Sequence, residues 1–297
     1  MIIRKFVQKG VSGYKFLSNF IKKEFFSIKC KIFKIPEWKD PDNRDFIIIE
    51  SQLKQQGIAF TEITIDKRDF EIFKIQFNFG NDFYGGPDTR VYEEKILEHF
   101  LSYTFAIQRM SSNKDIYVDV AAANSPWAKL LRDAGYNAYA IDLTPSELFK
   151  KYDFYKLMNA TATSFGGESV GSVSLQCAYE MFIQDDDIML INELKRILKK
   201  GGRAIICPLY MYTHYSGYCS PEFWNKHEYQ PQNAKIYVNS HSQGIPFSRK
   251  YDAKQFSERI VKTIVENHMS YNLFVLRNGE EIDPKIYCHF ILEITKN

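Results

Sequence analysis

The chain has 297 residues, 45% of them hydrophobic and 15% aromatic, enough for one large domain or two with a substantial core. No apolar run reaches the ~20 residues needed to span a bilayer, and no secretory signal pattern opens the chain. The net charge of +3 is unevenly spread: in residues 1–35 nine Lys or Arg stand against Glu24, giving +8 and leaving −5 on the rest. That asymmetry argues against a general nucleic-acid-binding surface and for a local electrostatic contact made by the arm.

Within the arm, Tyr14, Leu17, Ile21, Phe25 and Ile28 recur at helical spacing with lysines between them. This basic amphipathic helix has two readings: it docks on the body of the protein, or it lies on an anionic membrane surface. Residues 35–43, with Pro36 and Pro41, read as a linker. Residues 45–57 predict a short helix stopped by Gly57. Phe73, Ile75, Phe77 and Phe79 alternate with polar residues and predict a half-buried strand. A Gly-rich loop follows over 81–87, then a helix over 90–108. A polar turn at 111–114 divides a mostly helical N-terminal extension, 1–110, from a second domain, 111–297.

From Ile116 onward strands and helices alternate. Strand 116–120, helix 126–134, strand 138–142 and a short strand ending near Asn159 come first. Strand 170–175, helix 186–198, the Gly201-Gly202 turn and strand 203–208 follow. Helix 253–267 and two strand-like runs, 273–276 and 286–294, close the chain. This order predicts an α/β fold: a mostly parallel sheet covered by helices on both faces, with a terminal antiparallel strand.

Ligands of such sheets sit outside the carboxyl ends of the strands, so the residues after each strand are the candidates. Asp119 ends the first strand, and Ala121, Ala123 and Ser125 form the loop, with Ser125 and Pro126 suited to start the next helix. Asp142, at the end of the second strand with Leu143 behind it, can accept from two ribose hydroxyls. Asn159 and Ala160 follow the third strand, where an amide can read an adenine edge. Gln176, Cys177, Tyr179 and Glu180 follow the fourth; Tyr210, Tyr212 and His214 follow the fifth. His214 and Glu180 are the candidate proton acceptors. The six histidines show no metal-ligand spacing, and the five scattered cysteines suggest reduced thiols in the cytoplasm, so no metal site is assigned.

Four segments together resemble the class I S-adenosylmethionine-dependent methyltransferases: Val118–Ser125 as cofactor loop, Ala140–Leu143 as ribose strand, Asn159–Ala162 as adenine segment, and Glu193–Arg203 as the helix–Gly–Gly–strand signature. Val173–Phe182 is similar to the family's fourth-strand segment. The family's usual loop carries three glycines, here replaced by small residues, as in a bacterial subgroup met near polysaccharide biosynthesis. The resemblance implies a Rossmann-like fold, S-adenosylmethionine as cofactor held by Asp119, Ala121, Ala123, Ser125, Asp142, Leu143, Asn159, Ala160 and Gln176, and transfer of a methyl group to the hydroxyl of a small molecule or glycan. The missing glycines keep a second reading open, a methyltransferase-like module that binds or scaffolds without catalysis. A nicotinamide-dependent dehydrogenase is the third, and the absent GxGxxG counts against it.

Overall fold

A computed structural model describes Cys30 and residues 34–231 and 233–297. The amphipathic face of the basic arm lies outside the described residues. Helix α1 (Asn43–Gln55) starts at Asp42, whose carboxylate accepts from the backbone of Arg44 and Asp45 while Asp45 reciprocates, a capping box. Strand β1 (Thr61–Ile63) leads to α2 (Lys67–Gln76) and α3 (Tyr92–Phe105).

The strand expected over 73–79 is a correction, because that stretch is mostly the helix α2. Asp66 caps it, accepting from Arg68 N at 2.7 Å. Phe70, Phe73 and Phe77, three and four residues apart, are buried, while Ile75 is 81% exposed. The alternation in the sequence is therefore not an alternation of burial. A local cap and a helical aromatic stripe override it.

Strand β2 (Ile116–Val120), helix α4 (Trp127–Asp133) and strands β3 (Asn137–Asp142), β4 (Tyr155–Leu157) and β5 (Val170–Gln176) then form the expected alternation. Helix α5 (Asp186–Ile197) precedes β6 (Leu198–Cys207). A smaller sheet of β7 (Ser216–Cys219), β8 (Lys235–Val238) and β9 (Ser248–Lys250) follows, which the sequence pattern did not announce. Residues 253–266 make one helix, α6, with a π-turn over Phe256–Val261. Strand β10 (Met269–Leu276), the short α7 (Gly279–Ile282) and β11 (Phe290–Lys296) end the chain.

The main sheet has eight strands in the order β1-β10-β11-β6-β5-β2-β3-β4. All its pairings are parallel except those of β11, which runs against both β10 and β6. β1, from before residue 110, extends this sheet by pairing Thr61 with Phe274. Alternate residues of β2 feed two cores. Val118 and Val120 pack with α1, α5 and α6, while Tyr117 packs with α2, α3 and α4 around the fully buried Trp127. Each such large side chain contributes roughly 1.5–3 kcal/mol by leaving water. No described helix is long and apolar enough to cross a membrane.

Candidate functional site

The chain leaves β2 toward β3 and β4 on one side and returns to β5 and β6 on the other. That reversal opens a crevice at the carboxyl ends of the central strands. A cavity of about 390 Å³ occupies it, inside the range typical of small-molecule sites. Ala121 after β2, Asp142 and Leu143 at the end of β3, Asn159, Ala160 and Thr161 after β4, and Cys177 after β5 line one side. Tyr229 and Pro246, from the segment that carries the small sheet, line the other, with Met181, Phe182 and Ile183 between.

The loop after β2 is held by β3. Ala123 N donates to Asp142 Oδ2 at 2.9 Å, and Thr144 N donates to Asp142 Oδ1 at 2.7 Å. Ala121 and Ala123 both occupy the left-handed region, at φ 55° and 45°. The turn that glycine usually makes is thus reached by alanine at a strain cost. Cys177, at φ 50°, repeats the same conformation across the crevice. Asn159 Oδ1 accepts from Thr161 N at 3.0 Å, closing a turn that faces the cavity.

Thus Ala121, Asp142, Leu143, Asn159 and Ala160, among the expected cofactor residues, meet at one cavity. The others do not line it. Asp119 is 1% exposed, and burial, reinforced by the Asp142 charge, pushes its carboxyl well above the usual range. Ser125 is buried; its Oγ accepts from Trp127 N and its carbonyl accepts from Tyr155 Oη at 2.8 Å. Gln176 turns away, donating to Ser102 Oγ and Ser174 Oγ. Ala123 meets Asp142 through its backbone only.

His214 is not brought to the cavity lining. Its Nε2 meets Tyr237 Oη at 2.9 Å in the small sheet and its Nδ1 meets Thr213 Oγ1 at 3.2 Å. Burial, then the Lys235 charge, pulls its pKa down. Glu180 does not line the cavity either, but it touches a residue that does: it is 7% exposed, its Oε1 lies 3.5 Å from Cys177 Sγ, and its Oε2 has no hydrogen-bond partner among the described residues. Cys177 is the shared wall, because it also lines the cavity. Burial, then the Glu180 charge, pushes its thiol up to about 12.

Behind this wall α3 turns a polar face inward. Lys95 Nζ meets Glu98 at 2.8 and 3.1 Å, a buried pair in which the Glu98 charge raises the pKa of the Lys95 ammonium against burial. Burial raises Glu94 to about 7, opposed by the amides of Tyr287 and Cys288, which donate to its Oε2. Burial and the Lys95 charge lower His99 to about 3, leaving it neutral. Tyr210 Oη lies 3.1 Å from Cys177 Sγ, and Lys250 Nζ sits 3.5 Å from the centroid of the Tyr210 ring. Sequence reasoning missed Lys250, since a lysine in a short polar strand carries no sign of burial.

The donor set suits an adenosyl group. A carboxylate at a strand end can take two ribose hydroxyls, and Asn159 with Thr161 offers a polar edge among the apolar Ile141, Leu143 and Met158. Residues 118–206 match the family described as methyltransferase domain. Among solved structures, the 1,6-didemethyltoxoflavin N1-methyltransferase of Burkholderia thailandensis, bound to 1,6-didemethyltoxoflavin and S-adenosylhomocysteine, is 11% identical, covers 77% of this chain and 87% of its own, and has a TM-score of 0.46. Geranyl diphosphate C-methyltransferase from Streptomyces coelicolor A3(2) is 12% identical over 84% of this chain and 98% of its own, at a TM-score of 0.39. Among curated proteins none matches the sequence.

Proposed function

We propose, from the match of residues 118–206 to the methyltransferase-domain family, that this chain is a class I, S-adenosylmethionine-dependent methyltransferase that transfers a methyl group to the hydroxyl of a small molecule or glycan. The observation that carries the reading is the meeting of Ala121, Asp142, Leu143, Asn159 and Ala160 at one cavity on the carboxyl edge of the sheet. When bound there, the cofactor supplies an electrophilic methyl on a sulfonium sulfur. Asp142 holds the ribose and Asn159 the adenine edge. Both are fixed before binding by hydrogen bonds to the loop backbone, so little ordering remains to be done. The cofactor would supply its methyl to the acceptor oxygen, and Glu180 would take the hydroxyl proton. Glu180 serves as base rather than His214, because Glu180 adjoins the cavity wall and His214 is engaged by Tyr237.

The loop favours activity over an inactive scaffold, since it reaches its left-handed turns without glycine. Calorimetry with S-adenosylhomocysteine tests cofactor binding, and transfer of tritiated methyl from S-adenosylmethionine to hydroxyl-bearing acceptors tests catalysis. Absence of both in well-folded protein would leave the scaffold reading. The +8 arm further provides a contact with an anionic membrane surface, beside lipid-linked acceptors. Co-sedimentation with phosphatidylglycerol vesicles, with and without residues 1–35, tests that contact.

A further inference from the structure

Two buried groups of opposite charge near Cys177 each lack a counter-ion. Lys250 is 4% exposed, and among the described residues no carboxylate lies within ion-pair distance of its Nζ. It donates to Ser248 Oγ at 3.1 Å and otherwise faces rings, with Tyr210 at 3.5 Å, Tyr218 at 5.1 Å and Trp38 at 5.9 Å from their centroids. Burial draws its pKa down to about 8, opposed chiefly by the charge of Glu180, so at neutral pH it is mostly an ammonium. Glu180 is the second group, with Oε2 buried and unpartnered. The two sense one another electrostatically yet form no ion pair, and Tyr210 Oη and Cys177 Sγ stand between them. Leaving a cation and an anion both buried and unpaired is costly, so the arrangement is explained by a ligand that satisfies both.

A ligand that complements both must bring a donor to the carboxylate and an anion to the ammonium. A hydroxyl is the first, and once its proton has left it is the second. We infer that Glu180, Tyr210 and Lys250, across Cys177 from the cavity, mark the acceptor subsite, and that the hydroxyl it takes is an acidic one, phenolic or enolic, held as its oxyanion by the Lys250 ammonium. The inference rests on the methyltransferase reading and narrows its acceptor class. The proton goes to Glu180 and on to solvent. The oxyanion's lone pair forms the bond to the methyl carbon, and the electrons of the C–S bond stay on sulfur. The methylated product is a neutral ether that no longer pairs with Lys250, which favours its release. Tyr210 adds a hydroxyl donor beside the oxyanion, and the surrounding rings give a flat acceptor its walls. Lys250 is thereby a binding residue that sets the ionisation of the acceptor.

The test uses 4-nitrophenol as probe, because its phenolate alone is yellow. Full-length protein saturated with S-adenosylhomocysteine is titrated with the probe at a pH where free 4-nitrophenol is mostly the colourless phenol. The phenolate band should grow on binding, and the acid constant of the bound probe should rise about 10-fold or more, the effect of an opposite charge ~4–6 Å away. Lys250→Met should bind S-adenosylhomocysteine as wild type does but lose the band, whereas Lys250→Arg should keep it. If wild type bound S-adenosylhomocysteine but the probe stayed colourless, or if Lys250→Met kept the band, the subsite would be overturned with the methyltransferase reading intact. If wild type failed to bind S-adenosylhomocysteine, that reading itself would fall. The wild-type titration stands even if Lys250→Met does not fold.

Discussion

Asp142 Oδ2 accepts from the backbone N–H of Ala123 at 2.9 Å, so the end of β3 fixes the loop that follows β2. One carboxylate thereby shapes the loop and faces the cavity. Asp142→Ala removes this bond and the one to Thr144 N, together with the proposed grip on two ribose hydroxyls. Charge-assisted bonds contribute roughly 1.5–3 kcal/mol each, so S-adenosylhomocysteine affinity should fall by more than ~10-fold. Calorimetric affinity equal to wild type would remove Asp142 from the cofactor site.

Ala121 and Ala123 carry positive φ where a side chain is disfavoured. Replacing either by glycine relieves about 1 kcal/mol or more of left-handed strain and gives back roughly half to all of that as chain entropy. Ala121→Gly should therefore be neutral to stabilising, and Ala121→Val destabilising, in urea denaturation. The opposite order would mean that the loop does not hold the left-handed turn in solution.

Asp119 couples stability to pH. Its folded-state pKa is raised, chiefly by burial and then by Asp142, so the folded protein keeps a proton that the unfolded chain releases above about pH 4. Its favourable contribution is complete below that pH and is lost as pH rises toward the folded pKa. Asp119→Asn, which cannot ionise, should gain on wild type as pH rises from 4 to 7 in parallel denaturation curves. Curves that keep a constant gap would show the acid to be ionised in place.

Much of this arrangement is legible in the sequence, and the physical reason is topological. Each parallel strand of 116–208 is a short apolar run, and the residue after its carboxyl end is forced toward the crevice, so Asp142, Leu143, Asn159 and Ala160 could be placed by counting. Asp119, Ser125 and Gln176 lie outside the cavity lining: Asp119 is buried in its strand, and Ser125 and Gln176 are drawn to His99 and Ser102 of α3. β1 and β7–β9 are three or four residues long and partly polar, too short for a period to show. Arg249 and Lys250 are buried by their neighbours, against the habit of their side chains. The acceptor end of the site was illegible for that reason.

Asp187 anchors the small sheet beside the cavity. Burial pushes its carboxyl up, but Arg259, Arg249 and Tyr251 outweigh that and hold it below the usual range. Its Oδ1 accepts from Arg259 at 2.7 Å and its Oδ2 from Tyr251 Oη at 2.5 Å, and it pairs closely with Arg249, itself 0% exposed. Asp187→Asn leaves a buried guanidinium uncompensated, so denaturation should show a loss of about 3–5 kcal/mol. A loss below about 1 kcal/mol would mark the network as a solvated surface feature.

Cys177 reports on both sides of the wall it forms. It is half-buried and lines the cavity, whereas Cys30, Cys207, Cys219 and Cys288 are buried. Alkylation by iodoacetamide, mapped by peptide mass, should therefore modify Cys177 first. Only the thiolate reacts, and burial together with the Glu180 charge keeps that fraction small. Glu180→Gln removes the charge and keeps the shape, so the alkylation rate should rise roughly 3- to 10-fold, while S-adenosylhomocysteine affinity stays unchanged. Bound S-adenosylhomocysteine should protect the thiol in both proteins, because the cofactor cavity is its route to solvent. Equal rates in the two proteins would separate Glu180 from Cys177 and end its role as base at this wall. Alkylation indifferent to S-adenosylhomocysteine would place the cofactor elsewhere in the crevice.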